Sequence, residues 1–203
     1  MKFLTYFLLI AGSYLIGSVN GSILLSRIFR IGDIRKQGSG NAGATNMARV
    51  YGWGYGIMTL CLDVLKGIVC TQLGAWLLGD IGVAVCGFAC LLGHCFPIFY
   101  HFKGGKGISV GAALGFAIDW RVLVTIVCIF LIGALLSKKV SFGSVCAAVG
   151  IVVASFAFGV STPKLILALC TMVLVLFQHR SNIRRLLNGT EPDFRAAKTK
   201  KTK

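Results

Sequence analysis

The chain has 203 residues, 56% of them hydrophobic and only 13% charged, with a mean hydropathy of +0.83. A soluble domain carries about a quarter charged residues, so this composition excludes one and indicates an all-α integral membrane protein. A net charge of +15 would suit nucleic acid, but the basic residues lie between and after apolar runs rather than along one soluble face, which excludes that class too.

Apolar runs that read as membrane spans lie at roughly 3–25, 55–78, 81–100, 108–118, 122–137, 142–161 and 163–178, a seven-span helical bundle. The first is longer than the core of a signal peptide, lacks a small-residue cleavage site and follows only Lys2, so it reads as a retained span. The fourth is short for a crossing, and the charge pattern is the reason to keep it. Arg27, Arg30, Arg35, Lys36 and Arg49 follow span one, Lys103 and Lys106 follow span three, Lys138 and Lys139 follow span five, and an Arg- and Lys-rich tail follows span seven. Only with seven crossings do these share one side, against Lys2, Asp80, Asp119, Arg121 and Lys164 on the other. The positive-inside rule then puts the N-terminus outside and the C-terminus in the cytoplasm. Residues 1–194 read as a single transmembrane domain, and 195–203, RAAKTKKTK, as a basic disordered tail.

Span one contains GSVNGS, Gly17 to Ser22, a small-residue face for close packing in which Asn20 can hydrogen-bond across helices. The first basic loop reads GSGNAGATNMAR from Gly38 to Arg49. Its glycines let backbone N–H groups turn toward an anion, Ser39, Asn41 and Asn46 add polar side chains, and Arg49 can grip phosphate with two parallel donors. Span two carries Asp63 and Lys66, three residues apart within an apolar helix. Two readings stand for them: a structural ion pair, or ionisable groups with a functional role.

Span three runs into GHCFPIFYHFKGGKG, Gly93 to Gly107. Gly104, Gly105, Lys106 and Gly107 immediately precede an apolar helix, which supplies the parts of a phosphate cradle: free N–H groups, the positive end of a helix and an ammonium. Neither His94 nor His101 has an acidic residue four or five positions on, so no paired His and Asp can act as the base of an acyl transfer. The loop KKVSFGS offers Ser141, and the tail opens with QHRSNIRRLLNGTE, where Asn182 lies among arginines. The eight cysteines lie in or beside apolar runs, form no CxxC pair and have no His or carboxylate at zinc spacing, so they read as small packing residues rather than disulfides or metal ligands.

GSGNAGATNMAR, GHCFPIFYHFKGGKG and HRSNIRRLLNGTE, in that order, resemble the motifs of the bacterial acyl-phosphate:glycerol-3-phosphate acyltransferase family, PlsY. The resemblance covers nearly the whole chain and extends to DVLKG in span two. It departs at Ala42, where many members have proline, and at Ser109-Val110, where Ala-Thr is common. It implies a multi-pass enzyme of the bacterial cytoplasmic (inner) membrane that uses neither cofactor nor metal. The reaction implied is transfer of a fatty acyl group from acyl phosphate to the 1-hydroxyl of glycerol 3-phosphate, the first acylation of phospholipid synthesis, giving lysophosphatidic acid and inorganic phosphate. It further implies that Ser39, Arg49 and Lys103 grip glycerol 3-phosphate and that His94 and Asn182 hold or polarise the acyl phosphate. Gly104, Gly105, Lys106 and Gly107 would receive phosphate at the helix start. A transporter of organic anions would instead place its charges near the bilayer midplane between repeated halves, and a non-catalytic scaffold would not need the Gly38–Arg49 loop.

Overall fold

A computed structural model describes residues 2–193 as an all-helical bundle; the basic stretch 195–203 lies outside the described residues. Helix α1 (Lys2–Ser18) and helix α2 (Gly21–Ile28) divide the first apolar run at a 49° bend. Asn20 makes the break. Its backbone is extended, and its side-chain oxygen accepts from Ile23 N at 3.1 Å and from Ser22 Oγ at 2.7 Å, an N-cap for α2. Its Nδ2 donates to Ala42 O at 3.2 Å, so Asn20 ties the span to the first loop, whereas the sequence alone led us to expect a bond to another helix.

Helix α3 (Ala44–Tyr51) lies within that loop, and α4 (Trp53–Cys95) doubles back at Gly79, whose φ of 58° and ψ of −144° are open to glycine and strained for other residues. The two arms of α4 touch backbone to backbone: a Cβ on Gly74 would stand 2.3 Å from Gly82 O, and one on Gly82 1.9 Å from Gly74 O. Helix α1 packs as closely on the second arm, since a Cβ on Gly17 would stand 2.2 Å from Cys90 O. The chain then continues through α5 (Ile108–Ile118), α6 (Trp120–Ser137), α7 (Val140–Ala157), α8 (Thr162–Gln178) and α9 (Arg180–Leu187), with α9 bent 63° from α8.

The short α5 is enclosed. Val110 and Leu114 are fully buried against Cys70, Leu91 and Cys95 of α4, Val122 of α6 and Leu167 of α8. The large apolar side chains left outside, such as Trp76 and Leu136 at 81% exposure and Phe156 at 77%, form a surface suited to lipid rather than water. By length and composition α4, α6 and α7 can each cross a membrane, the bent pairs α1–α2 and α8–α9 qualify as pairs, and α5 is shorter.

Contacts between loops separate the two ends of the bundle. At one end Ser161 Oγ donates to Asp80 at 2.6 Å, Lys164 pairs with Asp80 at 3.0 Å, and the Arg121 guanidinium lies 4.7 Å from the centre of the Phe158 ring. The other end gathers the Gly38–Arg49, Gly93–Gly107 and 179–193 segments described below. Gly82→Val is expected to force the α4 arms apart and to cost on the order of 3 kcal/mol, read as a lower melting temperature of the purified protein. Gly12→Ala, whose Cβ would meet nothing within 4 Å, should not lower it.

Candidate functional site

Beyond Cys95, Pro97 opens a 3-10 turn (Ile98–Tyr100), and His101 and Phe102 take left-handed backbone, which reverses the chain. Gly104–Gly107 then folds over the end of α4. Gly105 N donates to His94 O at 3.1 Å, and Gln178 Nε2 donates to Gly105 O at 3.4 Å. Only glycine fits: a Cβ on Gly104 would stand 2.1 Å from His94 O, and one on Gly105 2.2 Å from His94 Nε2. Gly107, at φ +86°, precedes α5 without a side-chain cap, so the first-turn N–H groups of α5 end at this turn with no partner inside the helix.

Lys106 Nζ donates to Asn182 Oδ1, which joins the turn to α9. Asn182 Nδ2 in turn donates to Glu191 Oε1 at 2.7 Å. The same oxygen accepts from Ser141 Oγ at 2.7 Å, Oε2 accepts from Arg185 Nε at 2.7 Å, and the Glu191 carbonyl accepts from Lys139 Nζ at 2.5 Å. Burial pushes the Lys106 ammonium below the ordinary lysine range, with Arg185, Arg49 and Arg180 acting in the same direction and Glu191 opposing them. Three arginines from two segments therefore act on the Lys106 ammonium, with one carboxylate, Glu191, opposing them, an arrangement matched to anions.

The first loop is built on Asn46. Its Nδ2 donates to Gln37 O at 2.9 Å, Asn41 O at 3.1 Å and Ile34 O at 3.3 Å, and its Oδ1 accepts from Ser39 N at 2.9 Å. Asn46 thus spends its amide on the shape of the loop, while Ser39 stays exposed, and Asn41 and Arg49 are half-buried. Arg35 adds a second tie, bonded to Asp33 at 2.9 Å and to Tyr100 O at 3.0 Å, which links this loop to the chain just before Lys103. Lys103 is exposed, and no described residue partners its side chain. His94 is 2% exposed and meets the turn through Gly105 from beneath. Among the described residues no three His, Cys, Asp or Glu side chains are placed to hold a metal.

The structure thus joins Lys106, Asn182 and Ser141 through Glu191, joins His94 to Gly104 and Gly105, and joins Ser39, Asn41 and Asn46 within one loop. Glu191 is the organising residue that sequence reasoning did not single out; the signal was a lone acid closing a basic motif. Burial pushes its carboxyl up, but hydrogen bonds from Ser141, Asn182 and Arg185 outweigh this and hold its pKa below the usual glutamate value. A lowered folded pKa contributes stability that is complete above the unfolded value, about 4.3, and is lost as pH falls through the folded value. Glu191→Gln should therefore melt below wild type at neutral pH, by on the order of 2 kcal/mol, and the gap should close on acidification below pH 4.

Comparison with known proteins identifies the family and the fold. A sequence model described as glycerol-3-phosphate acyltransferase matches residues 7–189. The glycerol-3-phosphate acyltransferase of Finegoldia magna is 40% identical over 197 residues, covering 94% of this chain and 97% of that protein. That of Thermoanaerobacter pseudethanolicus is 40% identical over 179 residues, covering 88% and 90%. Two crystal structures of PlsY, an integral membrane glycerol 3-phosphate acyltransferase, superpose over 93% of this chain and 95% of theirs. The glycerol 3-phosphate form has a TM-score of 0.89 at 32% identity, and the lysophosphatidic acid form 0.87 at 31%. With a match across most of its length and solved relatives of the same fold, this chain belongs to the glycerol-3-phosphate acyltransferase family.

Proposed function

We propose that this chain transfers a fatty acyl group from acyl phosphate to the 1-hydroxyl of glycerol 3-phosphate, releasing lysophosphatidic acid and inorganic phosphate. The observation that carries this reading is Lys106 bonded to Asn182 beside the open start of α5, with Arg49, Arg180 and Arg185 acting on the same ammonium. Such a site holds phosphates and supplies little else. Acyl phosphate needs little else, because a mixed anhydride is already activated and requires no covalent acyl-enzyme.

In this reading Ser39, Arg49 and Lys103 hold the acceptor phosphate, with Asn41 beside them and Asn46 fixing the loop. Gly104, Gly105, Lys106 and Gly107 receive the donor phosphate, and Asn182 polarises it. Ser141 keeps Glu191 against Asn182, and His94 supports the turn from below. The 1-hydroxyl attacks the acyl carbonyl, forming the ester C–O bond while the C–O bond to phosphate breaks. The hydroxyl proton passes to the acceptor's own phosphate dianion, whose second pKa lies near 6. Bringing two anions together in this alignment contributes on the order of 7–11 kcal/mol, and fixed donors meet the charge that develops on the carbonyl oxygen.

The same reading places the site on the cytoplasmic face of a bacterial inner membrane, with seven crossings in one domain, the N-terminus outside and the acyl chain among the spans. The GGKG turn then lies below the headgroup surface, where irregular backbone is tolerated because it lines a polar site.

Purified protein given palmitoyl phosphate and glycerol 3-phosphate should form lysophosphatidic acid and release phosphate only when both are present; anion uptake into vesicles without transfer would overturn the reading. Lys103→Ala should lower kcat/KM by about 100-fold. In wild type, kcat/KM should rise as pH passes 6 and then level off, following the acceptor phosphate. In a cysteine-free background, a membrane-impermeant maleimide applied to intact cells should label Lys164→Cys and spare Lys138→Cys; the opposite pattern would invert the topology.

A further inference from the structure

Asp63 and Lys66 lie in DVLKG of α4, outside the three loop motifs that form the site, yet they are buried within the bundle. Asp63 is fully buried and Lys66 is 8% exposed. Lys66 Nζ stands 2.9 Å from Asp63 Oδ1 and donates to Gly17 O at 3.0 Å and Val19 O at 2.9 Å; His94 Nδ1 is its fourth neighbour, at 3.1 Å. Asp63 Oδ1 also accepts from Gly21 N at 3.3 Å, while Oδ2 is buried with no partner.

If the pair served stability alone, this would be a poor arrangement. An ammonium has three protons, here facing four acceptors, and a carboxylate oxygen is left unbonded. Buried ion pairs are in any case weak stabilisers compared with well-packed apolar residues. What the arrangement does accomplish is to fix His94. An ammonium has no lone pair and carries a full positive charge, so at 3.1 Å it repels a proton on Nδ1 and favours the tautomer with the ring proton on Nε2, whichever three of its four neighbours its own protons reach. Asp63 Oδ1 is 3.6 Å from Nδ1, beyond a good hydrogen bond. Nε2 is the atom facing Gly105, and the His94 carbonyl holds Gly105 N.

We propose that Asp63 and Lys66 are positioning residues for acyl transfer, acting through His94 to hold the Gly104–Gly107 turn in place for phosphate. The proposal rests on the reading of that turn as the donor-phosphate site. Gly105 is the point of contact, because an added Cβ there would meet the His94 ring on one side and Ala42 O, at 2.9 Å, on the other. The ion pair thus sets one ring, the ring sets one glycine, and the glycine sets the distance between the turn and the first loop.

Two measurements test this. Nitrogen-15 NMR of histidine-labelled protein in lipid nanodiscs, with His94 assigned by His94→Gln, should show the Nε2–H tautomer. Lys66→Met should convert it in part to Nδ1–H. A wild-type ring protonated on Nδ1, or one indifferent to Lys66, would overturn the proposal whether or not the protein turns over acyl phosphate. In kinetics, Asp63→Asn and His94→Gln should each lower kcat by up to about 100-fold, with KM for glycerol 3-phosphate little changed. The double variant should be no slower than the slower single, while the losses in melting temperature add. Multiplying kcat losses, or a wild-type kcat in Asp63→Asn, would show a structural pair only. Should Asp63→Asn not yield folded protein, Lys66→Gln takes its place in the same cycle.

Discussion

An ion pair inside an apolar bundle persists only if its surroundings supply what water would. For Asp63 and Lys66 that supply is the break between α1 and α2. Lys66 meets the Gly17 and Val19 carbonyls where α1 ends, and Asp63 meets Gly21 N where α2 begins. Each charge thus faces the helix end of opposite sign, an interaction of up to about 2 kcal/mol in partly buried settings. Moving each ion from water costs several kcal/mol even after relaxation. The break therefore depends on the pair and the pair on the break, with Asn20 capping one side and reaching Ala42 in the first loop.

From this centre the fold carries position outward through close backbone contacts. Gly17 lies on Cys90, Gly93 on Tyr14, Gly74 on Gly82, and Gly104 on the His94 carbonyl, each leaving no room for a Cβ. Interfaces of this kind depend on dispersion and steric fit, since lipid offers no hydrophobic drive between helices. They transmit position with little slack. The loops at one end are then joined by charge-assisted hydrogen bonds: Arg35 on Tyr100 O, Lys106 on Asn182, and Lys139 on Glu191 O. A site whose chemistry is mostly alignment suits a scaffold of this construction.

Much of this was legible in the chain. The apolar runs became helices near the expected places, the turn between the second and third runs fell at Gly79, and GGKG opened α5 where its glycines and lysine indicated. Asn182 met Lys106 across 76 residues, a meeting that the shared basic side of the two motifs had suggested. The division of the first run at Asn20 was hidden because its hydropathy is continuous; the cue, Asn followed by Gly-Ser, is the same whether it caps a helix or packs inside one. Asn46 looked like a ligand but is consumed by four backbone groups of its own loop, which a list of polar residues cannot reveal. Glu191 was obscured for another reason: its partner Ser141 lies 50 residues away on another helix, and no local pattern encodes that distance. The neighbours of the Asp63–Lys66 pair, the ends of α1 and α2 and the His94 ring, were likewise hidden, since spacing in span two could supply neither.

In the proposed reaction the turn at Lys106 receives the donor phosphate. The most direct test is the phosphorus-to-nitrogen dipolar coupling, by solid-state NMR, between a non-hydrolysable phosphonate analogue of acyl phosphate and lysine Nζ in protein labelled only at lysine. If Lys106 holds the phosphate, the coupling has direct-contact strength and falls away in Lys106→Arg while the analogue stays bound. A coupling unchanged by that substitution, or bound analogue with no lysine coupling at all, would contradict it.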